Sequence, residues 1–319
     1  MHAVPALSST HPVSYSSAKA RAQKLINDFN ASPISRSSYY PKLSKQDIID
    51  ELRWTLKNST GILAQRRSSL CGPAAFFFAL TKVRPDIYVQ LVVDLYTKGQ
   101  TQLKNLKLKS SAKARLYQPI EMRNSDWLLL SSIKPGYDNP SDQLAGITFP
   151  GTLKDWFKKA GFTTVVDHTN LAFNKGLDTL LQAQNDYRSG YTICFFVDAN
   201  VFKRIINKTS RSPYPNHWVV MTSDIKLRLF DEKTNTLALP VIINPSIIKT
   251  VKRQMSDKHD QAILDNDLNK TLETHDRILL NAFSWGDEYT PVRSKISATQ
   301  DARLSYFLNG FYGYIKVKR

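Results

Sequence analysis

A chain of 319 residues with 42% hydrophobic side chains and five tryptophans is long enough to bury a real core, and its two cysteines exclude a disulfide framework. The first fifteen residues lack a basic start and a continuous apolar run, and no stretch approaches the ~20 apolar residues of a membrane span, so neither a cleaved leader nor a membrane helix is expected. The net charge of +17 would attract nucleic acid, anionic lipid or an acidic protein; the basic residues are scattered, however, and their densest clusters, at 104–115 and 249–254, hold few aromatics and no nucleic-acid motif, which favours a solvated basic surface or an acidic protein partner.

Residues 1–43 are rich in Ser and Pro around one helical patch, AKARAQKLINDF, and read as a leader or an accessory helix. Ser44 then has the position of an N-cap, with Asp47 in the first turn and Ile48, Ile49, Leu52 and Leu56 on one helix face. After the loop carrying Gln65, the apolar run Ala74–Leu80 predicts a buried helix. Arg84-Pro85-Asp86 breaks the chain, and IYVQLVVDLYTK predicts a second helix closed by Gly99. A basic segment with weak alternation at Leu106 and Leu108 follows, then a short helix near Asp126–Ile133. Leu153, Trp156, Phe157 and Ala160 mark an amphipathic helix ended by Gly161. From residue 162 strands dominate: FTTVVD, YTICFFVD, HWVVMTS, LALPVII, ILLNAFSW and FYGYIKV, with a helix at Leu177–Tyr187. The charged stretch 249–277 reads as a partly helical insertion. Helices early and strands late predict an α+β fold.

The chemistry-bearing stretch is QRRSSLCGPAAFFFAL, Gln65 to Leu80. Cys71 falls at the start of the predicted helix, where unpaired N–H groups and a partial positive charge lower a thiol pKa. Gly72-Pro73 suits such an entry, since proline is tolerated in a first turn. A thiolate attacking a carbonyl creates an oxyanion, and Gln65, six residues upstream, is placed to stabilise it together with the Cys71 N–H. Of the six histidines, His217 opens the apolar strand HWVVMTS after a turn-rich segment and is the best-placed base; His168, after FTTVVD, is the runner-up. His2, His11, His259 and His275 lie in polar or charged stretches. Cys194, inside TICFFVD, reads as a small buried hydrophobe. No Cys/His cluster has metal-ligand spacing and no Gly-rich phosphate loop occurs, so no metal or organic cofactor is expected.

Gln-x5-Cys, small residues and Phe after the cysteine, and a distant strand-opening His resemble the papain-like cysteine peptidases. The form CGPAA is closer to their bacterial branch, which includes bacteriocin-leader peptidases, than to the CGSCW form of plant and lysosomal enzymes. SLCGPAAFFFAL, RPDIYVQLVVDLY, AGITFPGTLKDWFKKAGF, NHWVVMTS, FSWGDEY and NGFYGYIKV together resemble papain-like effectors exchanged between bacteria, often through type VI secretion, over roughly residues 45–319. The resemblance implies a papain-like catalytic domain over 44–319, in which a helical half carrying Cys71 packs on an antiparallel β-rich half carrying His217. It further implies a protein substrate in a target cell, delivery without a cleaved leader, and an inhibitor (immunity) protein in the producer, for which +17 suits an acidic one. Bacterial members place an Asn or Asp before Pro after the His strand, which selects Asn244 as the residue orienting His217. Ser284-Trp285-Gly286 is similar to the family's Asn-Ser-Trp-Gly run, whose Trp shields the His–Asn bond; Phe283 stands where the Asn would be, so Asn281 and Asp287 remain open beside Asn244.

The implied activity is hydrolysis of a protein amide bond. Glutamine deamidation, transglutamination and peptidoglycan amide hydrolysis use the same nucleophile and stay open. The alternative from another class is a papain-like binding module with a silent site and a basic docking surface.

Overall fold

The computed structural model describes residues 14–58, 63–66, 68–134, 136–139, 146–202, 215–264, 275–291 and 302–319. The fold is mixed α+β, and every strand pair in it is antiparallel.

Helix α1 (Tyr15–Ala31) starts where the Ser14 hydroxyl accepts from Ser17 N–H, and it buries Ala18, Ala22, Ile26 and Phe29 along one face. Ala22, Ile26 and Phe29 join the main core, where α1 packs on its neighbours. Of the two readings of residues 1–43, a leader or an accessory helix, α1 has the character of the second, because its apolar stripe is buried against the core; residues 1–13 lie outside the described residues. Ser44 caps α2 (Lys45–Lys57) by accepting from Asp47 N–H, as its spacing predicts. Next come α3 (Cys71–Val83) and α4 (Pro85–Lys98), the latter with Pro at its first position and left-handed Gly99 (φ +70°) at its end. A small hairpin, β1 (Thr101–Leu103) and β2 (Leu106–Leu108), leads to α5 (Ala112–Leu116), α6 (Asn124–Ser132) and α7 (Pro150–Lys159).

The second half runs through β3 (Thr164–Asp167), α8 (Leu177–Arg188), β4 (Thr192–Val197), β5 (His217–Met221), β6 (Lys226–Arg228), β7 (Phe230–Asp231), β8 (Thr236–Leu237) and β9 (Val241–Ile242). It ends with α9 (Pro245–Leu264), β10 (Arg277–Leu279), β11 (Ala282–Ser284), β12 (Asp287–Tyr289), β13 (Ala302–Arg303), α10 (Leu304–Leu308) and β14 (Phe311–Lys318). Two expected strands are each divided. LALPVII splits into β8 and β9 around Pro240, which has no N–H for a ladder. ILLNAFSW splits into β10 and β11, which belong to different sheets. The stretch expected as an insertion begins inside α9, whose Ile248 and Val251 are buried against the sheet half.

Among the described residues, the main sheet has the order β12-β11-β5-β4-β14-β3 and a smaller one β13-β10-β6-β9. Strand alternation divides the interior. Cys194, Phe196, Trp218, Val220 and Phe283 face the core shared with the helical half, while Ile193, Phe195, Val197, Val219, Met221 and Ala282 face a second core built with α8, α9, α10 and the smaller sheet. Helix α3 lies on β5 and β11, so the Cys71 end of one half meets the His217 end of the other. Among the described residues, no helix is long and apolar enough to cross a membrane.

Candidate functional site

Helix α3 begins at Cys71 itself. Its N-cap position is Leu70, which supplies no side-chain hydrogen bond, so the first-turn amides are not taken by a capping group. The N–H groups of Cys71 and Gly72 act on the Cys71 sulfur, and so does the backbone N–H of Trp218, one residue after His217; Lys134 adds a positive charge. All four favour a thiolate, yet burial outweighs them and pushes the Cys71 thiol up. This corrects the expectation from the sequence. The helix start is present, but Cys71 is only 6% exposed, and desolvation of a charged sulfur costs more than the dipoles return.

The segment 146–148 packs against the start of α3, with Thr148 beside Gly72 and Gly146 beside Ser69. Lys134 Nζ donates to the Ile147 carbonyl at 2.6 Å, and Trp218 Nε1 donates to the Thr148 carbonyl at 2.8 Å. A side chain at Gly72 would overlap Thr148, so glycine after the cysteine is required by this close approach. Burial holds the Lys134 amine below the usual lysine range, with the neighbouring Cys71 opposing that shift.

His217 is 4% exposed at the first position of β5. Its Nε2 is 2.6 Å from Ser284 Oγ at the end of β11, and its ring is stacked on Trp285, with centroids 4.1 Å apart and planes inclined by 13°. Trp285 and Gly286 form the two-residue turn between β11 and β12, both at positive φ (+46° and +92°) as a hairpin of this type demands. A tryptophan in that conformation is strained. Its ring nevertheless fills the space beside the imidazole, and Tyr289 packs edge-on behind it at 5.3 Å.

Gln65 is 2% exposed, and its Oε1 is buried with no hydrogen-bond partner among the described residues. Its carbonyl accepts from the N–H and the hydroxyl of Ser68. It lines a cleft of about 260 Å³ with Tyr117, Pro119, Ile120 and Met122. Two larger clefts, of about 650 and 700 Å³, run along the α1 side of the molecule and are lined by none of Gln65, Cys71 and His217.

The other candidates sit elsewhere. The exposed Asn244 caps α9, its Oδ1 accepting from Ile247 N–H at 3.0 Å; that geometry commits the side chain to the helix start, so the structure does not bring Asn244 to His217. Asp287 is exposed and accepts from Glu288 N–H, and Asn281 is tied through its backbone to Thr222 and Ser223. His168 follows β3, the far edge of the main sheet, with its ring 4.7 Å from that of Tyr314. Phe283, at the position expected for an asparagine, stacks at 3.7 Å on Phe78 of α3 and so ties the His hairpin to the Cys helix. Sequence reasoning missed Ser284 as the neighbour of His217, although it lies in the Ser-Trp-Gly run. It also missed Lys134 and Asp126, whose contacts join segments far apart in the chain.

A thiol among amide dipoles and an imidazole held from two sides are together suited to acyl transfer. Among the described residues no group of three His, Cys, Asp or Glu side chains could hold a metal ion. No protein-family model, curated protein or solved structure matches the chain.

Proposed function

We propose that this protein is a papain-like thiol hydrolase that cleaves a protein amide bond, with Cys71 as nucleophile, His217 as base and Gln65 as oxyanion donor. The observation that carries the proposal is the convergence of two remote segments. Strand β5 sets the Trp218 N–H on the Cys71 sulfur, while its neighbour His217 is clamped between Ser284 and Trp285.

In this mechanism His217 takes the Cys71 proton through Nδ1, because Nε2 faces Ser284. The sulfur attacks the carbonyl carbon, and the Cys71 N–H and the Gln65 side-chain amide stabilise the resulting oxyanion. His217 returns the proton to the leaving amine, and water then releases the acyl group from sulfur. Ser284 substitutes for the family's asparagine as the group that orients the ring, and Trp285 excludes water from that hydrogen bond. Burial works against a thiolate at Cys71, and in this mechanism the Trp218, Gly72 and Cys71 N–H groups and the Lys134 charge oppose that effect. Delivery to a target cell and an acidic inhibitor protein belong to the same proposal and rest on the sequence resemblance.

One observation favours a silent binding module instead: the sulfur is buried and its pKa is raised. Proteomes of cells expressing wild type and Cys71→Ala decide between the two. New protein termini or Gln-to-Glu mass changes that depend on Cys71 support the hydrolase, and identical proteomes with an unchanged phenotype support the module.

A further inference from the structure

Behind the site, Asp126 lies in the first turn of α6 and is completely buried. Its two oxygens accept from consecutive amides of the loop that precedes Cys71: Oδ1 from Leu63 N–H at 3.1 Å and Oδ2 from Ala64 N–H at 3.0 Å. Gln65 is the next residue. Two bonds to adjacent amides fix the direction in which the chain enters Gln65.

The loop needs such a hold, because Leu63 (φ +51°) and Arg66 (φ +52°) both occupy the left-handed region without being glycine. On its other side Ala64 abuts Gly286, where an added Cβ would come within 2.5 Å of the Ala64 Cα. The loop is thus gripped between α6 and the Trp285-Gly286 turn that shields His217. Asp126 is a costly group for a merely structural tie. Burial pushes its carboxyl up to about 6 although Arg123 and both loop amides pull it down, with Glu51 adding to the rise.

We infer that Asp126 is the positioning residue of the oxyanion loop: its carboxylate holds the Leu63 and Ala64 amides so that the Gln65 side chain is presented to the tetrahedral adduct on Cys71. The inference rests on the thiol-hydrolase reading above.

Two reactions of the same sulfur separate positioning from structure. p-Nitrophenyl acetate is attacked at its carbonyl: Cys71 sulfur bonds to the acetyl carbon, an oxyanion forms and collapses, p-nitrophenolate leaves, and His217 keeps the thiol proton. Iodoacetamide is displaced at a saturated carbon and forms no oxyanion. Asp126→Asn should slow the p-nitrophenolate burst by about 10- to 100-fold, part of the loss expected for one oxyanion donor, and leave alkylation of Cys71 within about twofold of wild type. An unchanged burst overturns the inference, as does a parallel loss of both reactions. A wild-type burst no larger than that of Cys71→Ala instead overturns the hydrolase reading, and the inference with it.

If Asp126→Asn does not fold, the wild type serves. Its ratio of acylation to alkylation should fall as pH drops through about 6, because protonated Asp126 loses an acceptor while the shared ionisations of Cys71 and His217 cancel. The titratable groups facing Asp126 are Glu51, Arg123 and Tyr88; Glu51 accepts from the Asn124 and Ser125 amides and not from the loop. A ratio independent of pH overturns the inference.

Discussion

The two thiols of this protein are buried almost equally, 6% exposed at Cys71 and 0% at Cys194, yet their surroundings differ in kind. Cys194 sits in the middle of β4, paired with Val220 on one side and Ile315 on the other, and burial alone pushes its thiol up to about 12. Cys71 meets the same penalty but also three backbone N–H groups and the charge of Lys134, all opposing it. Depth therefore does not distinguish a structural cysteine from a candidate nucleophile. The supply of dipoles aimed at the sulfur does, together with a histidine next to Trp218, whose amide is one of them.

The largest expected effect breaks that symmetry outright. Cys71→Ala should abolish turnover and His217→Ala should reduce it by at least about 10²- to 10⁴-fold, the range of a lost general base, whereas Cys194→Ala should leave kcat intact. Progress curves for the three variants on one substrate check this. Gln65→Ala comes next: turnover should fall roughly 10²- to 10³-fold while iodoacetamide labels Cys71 at the wild-type rate, since only carbonyl attack develops an oxyanion. Equal losses in both assays would remove Gln65 from the mechanism.

Ser284→Ala should have a smaller effect, because it deletes one neutral hydrogen bond of about 1 kcal/mol, worth roughly fivefold in kcat. A loss as large as that of His217→Ala would mean that Ser284 takes part in the chemistry itself.

The effect that leaves turnover untouched is on stability and belongs to Cys194. Its folded pKa lies above the unfolded value near about 8.5, so the folded state binds more protons across that interval and stability falls as pH rises from about 8.5 toward 12, by up to about 1.4 kcal/mol per pH unit. Denaturant midpoints of wild type and Cys194→Ala should therefore diverge over that range, with the wild type losing more.

How much of this was legible in the sequence depended on whether the determining contacts were local. Caps and breaks were: Ser44 before α2, Pro85 opening α4 and Gly99 closing it are set by residues within one turn. Cys71 at a helix start followed from the apolar run after it. The sign of its pKa shift did not follow, because desolvation depends on how deeply the assembled fold buries the sulfur, which no local pattern fixes. Asn244 before Pro245 had the pattern of an orienting residue and turned out to satisfy its own helix. Ser284 was hidden for the opposite reason: expectation fell on the position before it, where Phe283 instead stacks on Phe78.

The central claim is that acyl groups are carried by the Cys71 sulfur with His217 as the base. The most direct test is to quench the protein during reaction with p-nitrophenyl acetate and map the acetyl group by peptide mass spectrometry. The account predicts a thioester on the Cys71 peptide that is absent from His217→Ala. Acetyl on Cys194 or Ser284, or an unchanged Cys71 adduct in His217→Ala, would contradict it.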